Sequence, residues 1–181
     1  MKKGFSIIAL NILAIIAYLL LSLFAKAGFA WETSAITLWP AAGLASALVI
    51  SYGWVLLPGL VIGNLLGTAC DPMVGCSVQS SMVFISIAAG AQAALIRFML
   101  FRYKLLTDTL NRSSRLFRFL LWAGPLGNWP AAATYLLDKL INTNSIQNLH
   151  QIFISALYWW IGDSLGSLLF LPLLLLVLPF K

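Results

Sequence analysis

Asp163 is the residue of this sequence whose chemistry most needs an explanation. It lies in the run 159–166, Trp-Trp-Ile-Gly-Asp-Ser-Leu-Gly, inside the apolar segment 152–178. An ionised carboxylate at the centre of a transmembrane helix costs roughly 2.5–3.5 kcal/mol on insertion scales, so a chain keeps one for a partner or a task. Two interpretations stay open. The side chain either forms a structural hydrogen-bonded pair, in protonated form, or it binds a ligand or takes part in proton-linked chemistry.

Three side-chain amides also fall inside apolar segments: Asn64, Gln92 and Asn128. Because the hydrocarbon core holds no water, such groups must face the helix bundle or a cavity. Counting residues at 1.5 Å each places Asn128 near the depth of Asp163, at the membrane midplane. The four side chains are candidate ligand-binding residues that line one polar interior. Alternatively, the amides join helices through hydrogen bonds of about 0.6 kcal/mol each.

Aromatic residues cluster at one predicted membrane face, namely Trp31, Trp39, Trp159 and Trp160. An interfacial belt of tryptophans is the common reason for such a cluster. The alternative is an aromatic cap over an outward-facing pocket with Glu32 at its rim. In that case Trp39, Trp159, Trp160 and Glu32 join the candidate ligand-binding residues.

Catalytic and metal-binding patterns are absent from the sequence. There is no HExxH, GxSxG or P-loop motif, and the only histidine is His150, outside the apolar segments. We therefore expect neither an enzyme nor a cofactor. Cys70 and Cys76 flank a five-residue turn, and three states stay open for them: a disulfide, free thiols, or a metal site that His150 completes.

The composition is that of an integral membrane protein. The 181 residues are 61% hydrophobic and only 9% charged, whereas soluble domains are closer to 25% charged. The net charge of +6 is spread between long apolar runs, which indicates membrane topology rather than nucleic-acid binding. The chain is predicted to be one domain, residues 1–181, in contact with membrane lipid.

The apolar periodicity predicts an all-α, polytopic bundle of about six transmembrane helices, since each crossing needs about 20 apolar residues. The predicted spans are 5–25, 36–52, 54–70, 78–100, 117–137 and 152–178. The first could instead be a signal peptide, but its apolar stretch is long for one, and we expect a retained helix.

The basic residues orient these spans. With the N-terminus in the cytoplasm, nine Lys and Arg residues fall inside and only Lys26 and Lys139 outside. This asymmetry obeys the positive-inside rule and predicts that both termini are cytoplasmic. The basic 101–118 loop serves as a topology determinant that touches lipid headgroups or, alternatively, as a docking surface for a cytoplasmic partner.

Small residues recur every four positions on two of the spans. Gly59, Gly63 and Gly67 follow one face of the third, and Gly162 and Gly166 repeat the spacing on the sixth. Such stripes allow the backbone of another helix to approach closely. The glycines are therefore predicted to be helix-packing residues.

Four motifs occur in order along residues 36–175. They are Leu-Trp-Pro-Ala-Ala-Gly-Leu-Ala from residue 38, Gly-Asn-Leu-Leu from residue 63, the run 159–166, and Leu-Pro-Leu-Leu from residue 171. Together they resemble the membrane-associated sensor domain of the first MASE class, the input region of bacterial sensor histidine kinases and diguanylate cyclases. The resemblance implies a sensory module in the bacterial inner membrane that acts with a separate or missing output domain.

Three alternative functions are consistent with these features of the sequence. The first is this sensory module, which recognises a small molecule or a partner membrane protein and passes its state to a cytoplasmic signalling output domain. The second is a substrate-binding subunit of a transporter, similar to the S-components of energy-coupling-factor systems. The third is an accessory structural subunit of a larger membrane complex, in which Asp163 is only a buried pair.

Overall fold

The computed structural model describes residues 6–29, 38–71, 75–106, 113–142 and 149–178. These ranges are almost entirely helical, and their only strands are two residues long. The helices are α1 (Ile7–Phe29), α2 (Pro40–Tyr52), α3 (Leu57–Ala69), α4 (Ser80–Arg102), α5 (Ser113–Ala123), α6 (Trp129–Asn142) and α7 (Leu149–Val177), with a single 3₁₀ turn at Trp54–Leu56 before α3. The all-α prediction is therefore confirmed.

Three helices are long and apolar enough to cross a membrane: α1, α4 and α7. They match the first, fourth and sixth predicted spans to within a few residues. Large apolar side chains, such as Ile8 and Leu20 on α1 and Leu173 on α7, remain exposed on their outer faces. In a bilayer these faces suit contact with lipid, because no other described helix covers them.

The second and third predicted spans, 36–52 and 54–70, differ from the structure. They form α2 and α3, which have 13 residues each. A helix of that length rises about 20 Å, which is less than the ~30 Å hydrocarbon core. Pro40 opens α2, and Gly53 ends it with a φ of 89°, a left-handed conformation that favours glycine.

Helix α2 lies in the interior of the bundle, with protein around it. Its residues from Pro40 to Ala47 are all buried, and it contacts α1, α4 and α7. A helix that is apolar on every face belongs in such a core. At its C-terminal end the Arg97 guanidinium donates to the carbonyl oxygens of Val49 (2.7 Å) and Ile50, which satisfies acceptors that a helix end leaves unpaired.

The fifth predicted span, 117–137, is wrong as a continuous helix. The chain forms α5 and α6, separated by a turn at residues 124–128. Pro125 lacks a backbone N–H and disfavours helical conformation at Gly124 before it. At Gly127 an added Cβ would overlap the Trp122 carbonyl oxygen and the Ile96 side chain, so only glycine fits this turn.

The glycine stripe of α3 lies against α1. A Cβ added to Gly59 would meet Asn11 at 2.7 Å, one on Gly63 would meet the Tyr18 Cβ at 2.9 Å, and one on Gly67 would meet the Ser22 Oγ at 2.5 Å. Asn11 also accepts a hydrogen bond from the Gly59 amide at 2.7 Å. The stripe therefore brings the two backbones together over more than two turns of α3.

A short hairpin ends α3. Cys70–Asp71 pairs antiparallel with Gly75–Cys76, and a disulfide joins Cys70 to Cys76. The end of the bundle that carries this hairpin is called the hairpin end below. It also holds the C-terminal end of α1, where Lys26 donates to the carbonyl oxygens of Thr68 and Cys70.

The crossing of α2 and α7 brings two helix backbones close together. A Cβ on Gly43 would lie 2.5 Å from the Gly166 carbonyl oxygen, and one on Gly166 would overlap the Trp39 carbonyl. The Trp39 amide donates to the Gly162 carbonyl oxygen at 3.1 Å. Two of the motifs found in the sequence, around Trp39 and around Asp163, thus pack against each other.

We expect Gly166→Ala to lower the free energy of unfolding by about 1–3 kcal/mol, because an overpacked contact forces the two backbones apart. Gly28→Ala is the matched control, since a Cβ there meets nothing within 4 Å. Thermal unfolding of both purified variants in the same detergent measures the difference. Equal stability of the two variants would show that the crossing is not as tight as described.

Candidate functional site

A cavity of about 270 Å³ lies between the helices at the hairpin end. It reaches from the exposed Gln79 and the half-buried Lys139 at that end to Asp163 in the middle of α7. Asp163 is fourteen residues from either end of this 29-residue helix. The cavity therefore connects the surface of the hairpin end with the carboxylate that stands out in the sequence.

The wall of the cavity comes from all of the long helices, from α3 and α6, and from Trp39 immediately before α2. Polar or charged lining residues are Lys26, Asn64, Thr68, Gln79, Ser81, Asp138, Lys139 and Asp163, and aromatic ones are Trp39, Tyr135 and Trp159. A mostly apolar wall with a few polar groups is typical of small-molecule sites.

The α2–α7 crossing positions two of these groups. Trp39 is the residue immediately before α2, and its backbone is bound to Gly162 and packed on Gly166. Asp163 follows Gly162 directly, so the same contact sets the positions of the indole and the carboxylate at the cavity wall. The spacing of the two α7 glycines thus decides where the carboxylate lies.

Gln92 of α4 donates a hydrogen bond to the Asp163 carboxylate from outside the cavity. Its Nε2 donates to Asp163 Oδ2 at 3.0 Å and to Asn128 Oδ1 at 2.5 Å. Ser167 Oγ donates to the same Asn128 oxygen at 3.1 Å. Gln92 is 3% exposed and Asn128 is fully buried, so these amides support the site without lining the cavity.

Asn128 lies at the break between α5 and α6. Its Nδ2 donates to the carbonyl oxygens of Ala123 and Gly124, both at 2.8 Å. These are the acceptors that the end of α5 leaves unpaired. One asparagine therefore closes the helix break and links it to Gln92 and hence to Asp163.

A second polar cluster surrounds the Tyr18 hydroxyl. It accepts hydrogen bonds from Asn64 Nδ2 at 2.6 Å and from Trp39 Nε1 at 3.3 Å. Ser86 Oγ donates to Asn64 Oδ1 at 2.9 Å. The cluster ties α1, α3 and α4 together and fixes the orientation of the Trp39 ring beside the cavity.

The aromatic wall contains a stacked pair. The Tyr135 and Trp159 rings lie 4.9 Å apart with an interplanar angle of 28°. Trp160 lies elsewhere: its Nε1 donates to the Pro125 carbonyl at 2.8 Å, and its ring lines a shallow apolar groove with Trp129 and Phe153. Of the paired tryptophans, only Trp159 lines the cavity.

The sequence-predicted site residues thus divide into four groups. Asp163, Trp39, Asn64 and Trp159 line the cavity, whereas Gln92 and Asn128 lie behind it. Trp160 contacts the α5–α6 turn instead. Glu32, and with it Trp31, lies outside the described residues.

Several contributors to the site were not predicted, among them Tyr18, Tyr135 and Lys26. Tyr18 had a signal in the sequence, because Asn11, Tyr18 and Ser22 share one face of α1 at helical spacing. This polar face lies opposite the glycine stripe of α3. Tyr135 had no such signal, because its place in the cavity depends on the unpredicted helix break.

No family model, curated protein or solved structure matches this chain. The geometry of the cavity and the sequence motifs that build it are therefore the basis for proposing a function.

We expect Gln92→Leu to destabilise the protein by about 1–3 kcal/mol, because it leaves the buried Asn128 and Asp163 oxygens without their shared donor. Gln151→Leu is the matched control, since Gln151 is exposed on α7. Chemical unfolding in detergent measures both. If the two leucine variants were equally stable, the bridging role of Gln92 would be refuted.

Proposed function

We propose that this chain is a sensory, ligand-binding module of bacterial signal transduction, embedded in the inner membrane and similar to MASE-type input domains. Its cavity binds a small molecule from the outer side. The bound state is passed on to a cytoplasmic output domain or to a partner membrane protein.

The observation that carries the proposal is the position of Asp163 on the cavity wall. A carboxylate kept only for structure is expected to be enclosed by its partners, because a buried charge is costly unless it is fully paired. Asp163 has a hydrogen bond on one side, from Gln92, and lines the cavity on the other. This arrangement suits a group that meets a ligand.

A route for the signal follows from the same contacts. A ligand beside Trp39, Tyr135 and Asp163 touches the start of α2 and the middles of α6 and α7 at once. Helix α7 continues for fourteen residues beyond Asp163, away from its N-terminal end. A ligand that binds one arrangement of these helices more tightly shifts their equilibrium toward it. The far end of α7 then carries the change toward the cytoplasmic side.

The orientation in this proposal rests on the positive-inside asymmetry of Lys and Arg. It places the hairpin end in the oxidising compartment, which agrees with the Cys70–Cys76 disulfide. The proposed arrangement has six membrane segments, with the short helices α2 and α3 and the broken α5–α6 pair packed between the three long helices.

After reduction, Cys70 and Cys76 should react with a membrane-impermeant maleimide added to intact cells, because the proposed topology exposes the hairpin to the periplasm. The control is Arg102→Cys in a chain in which both native cysteines are serine. Arg102 is exposed at the opposite end of α4, so it should be labelled only after the membrane is permeabilised. The reverse labelling pattern would show that the chain has the opposite orientation in the membrane.

Native mass spectrometry of the full chain in lipid nanodiscs tests the binding role. We expect a co-purified small molecule whose occupancy falls at least about fivefold in Trp159→Leu, because a buried aromatic contact contributes about 1 kcal/mol or more. Trp129→Leu is the control, since Trp129 is 55% exposed and outside the cavity.

Other results of that experiment would replace the proposal. Co-purification with an ATPase and a coupling subunit would identify a substrate-binding subunit of a transporter. A fixed ratio to other membrane subunits, without any small molecule, would identify an accessory structural subunit. Equal occupancy in the two tryptophan variants would place the ligand outside this cavity.

A further inference from the structure

The Asp163 carboxylate has acceptor capacity that the protein does not use. Within the described ranges it accepts one hydrogen bond, from Gln92 Nε2 at 3.0 Å. An ionised carboxylate has about four acceptor sites. The remaining sites are available to whatever occupies the cavity, because Asp163 forms part of its wall.

The cations near the cavity are engaged with other groups. Lys26 donates to the Thr68 and Cys70 carbonyl oxygens. Lys139 lies 4.0 Å from Asp138 and 5.8 Å from the centre of the Tyr135 ring. The Lys139–Asp138 pair is the one ion pair found across the described ranges, so no Lys, Arg or His there pairs with Asp163. An ionised Asp163 therefore has no protein counter-ion in this part of the chain.

The aromatic wall favours the same sign of charge. Trp39, Tyr135 and Trp159 line the cavity together with Asp163. Aromatic faces attract cations through the ring quadrupole, by about 0.5–2 kcal/mol and most strongly for tryptophan. Hydrogen bonding to Tyr18 holds the Trp39 ring, and stacking holds the other two. A ring of fixed aromatic side chains beside a carboxylate is suited to an ammonium group.

Two alternative occupants fit less well. An anion would meet the negative charge of Asp163 at close range. A bare divalent cation needs several oxygen ligands, and the described residues contain no group of three His, Cys, Asp or Glu side chains that could hold one. The donor set therefore suits an organic cation better than a metal ion.

The geometry points to a small organic amine as the ligand of this cavity, with its ammonium group on Asp163 and its apolar part between Trp39, Tyr135 and Trp159. The volume of about 270 Å³ is just below the usual range for drug-sized ligands, which indicates a compact molecule. This inference rests on the proposed binding role of the cavity and adds the chemical class of the ligand.

Three probes of nearly equal size test the charge preference: benzylamine, benzyl alcohol and benzoate. Isothermal titration of the full chain in detergent should rank benzylamine tightest, at least about tenfold tighter than benzyl alcohol, because a hydrogen bond to a charged group contributes about 1.5–3 kcal/mol. Benzoate should bind most weakly. This order follows from the carboxylate alone, since the three probes share their ring.

Asp163→Asn should remove the preference for benzylamine over benzyl alcohol. The asparagine is nearly isosteric and can still accept the Gln92 hydrogen bond, and an unchanged melting temperature would verify that the variant is folded. Asp138→Asn is the comparison, because Asp138 is the second carboxylate on the same cavity wall. With the ammonium on Asp163, Asp138→Asn should lower the preference less than Asp163→Asn does.

The outcomes separate the ligand class from the binding role. Equal or tighter binding of benzyl alcohol or benzoate would overturn the amine inference and leave the cavity as a ligand site. Absence of binding by all three probes would also overturn the amine inference. The proposed binding role would then be tested by whether a small molecule co-purifies with the chain. An equal loss of preference in both carboxylate variants would refute the assignment of the ammonium to Asp163.

Discussion

The structure depends on one close contact, the crossing of α2 and α7 at Gly43 and Gly166. No side chain other than hydrogen fits there, because the backbone of each helix occupies the space of the other's Cβ. This contact covers the α7 side of α2 and binds Trp39 to Gly162. Packing against small residues replaces the hydrophobic effect as a driving force between helices in lipid, so losing the contact would loosen both the core and the cavity wall.

The buried polar side chains of the bundle form two hydrogen-bonded networks beside the cavity. Gln92, Asn128 and Ser167 form a buried network. It donates hydrogen bonds to carbonyl oxygens at the helix break and to one oxygen of Asp163. Tyr18, Asn64 and Ser86 form another that orients Trp39. Unpaired polar groups in a low-dielectric interior are costly, and non-helical backbone at membrane depth is tolerated only where protein or a cavity surrounds it. Both clusters therefore constrain the geometry of the cavity wall.

The long helices and several site residues could be predicted, because their signals are local. A long run of apolar residues is enough to predict α1, α4 and α7. A carboxylate within such a run, such as Asp163, can also be recognised without knowledge of its tertiary contacts. The break at residues 124–128 was missed because the apolar run continues across it. Gly127 and Asn128 require the turn through contacts with Ile96 and Gln92, residues about thirty positions earlier. Trp160 was grouped with Trp159, yet adjacent residues on a helix point in different directions.

By itself, the sequence determined the helical class, the membrane character, the glycine faces and the polar residues from which a site could be built. These follow from composition and from spacing along single helices. Only the tertiary structure decided which of those residues meet: that Gly166 receives Trp39, that Gln92 bridges Asn128 and Asp163, and that Tyr18 and Tyr135 belong to the site. The physical reason is that such contacts join residues tens of positions apart, and their geometry is set by how closely backbones approach rather than by any local pattern.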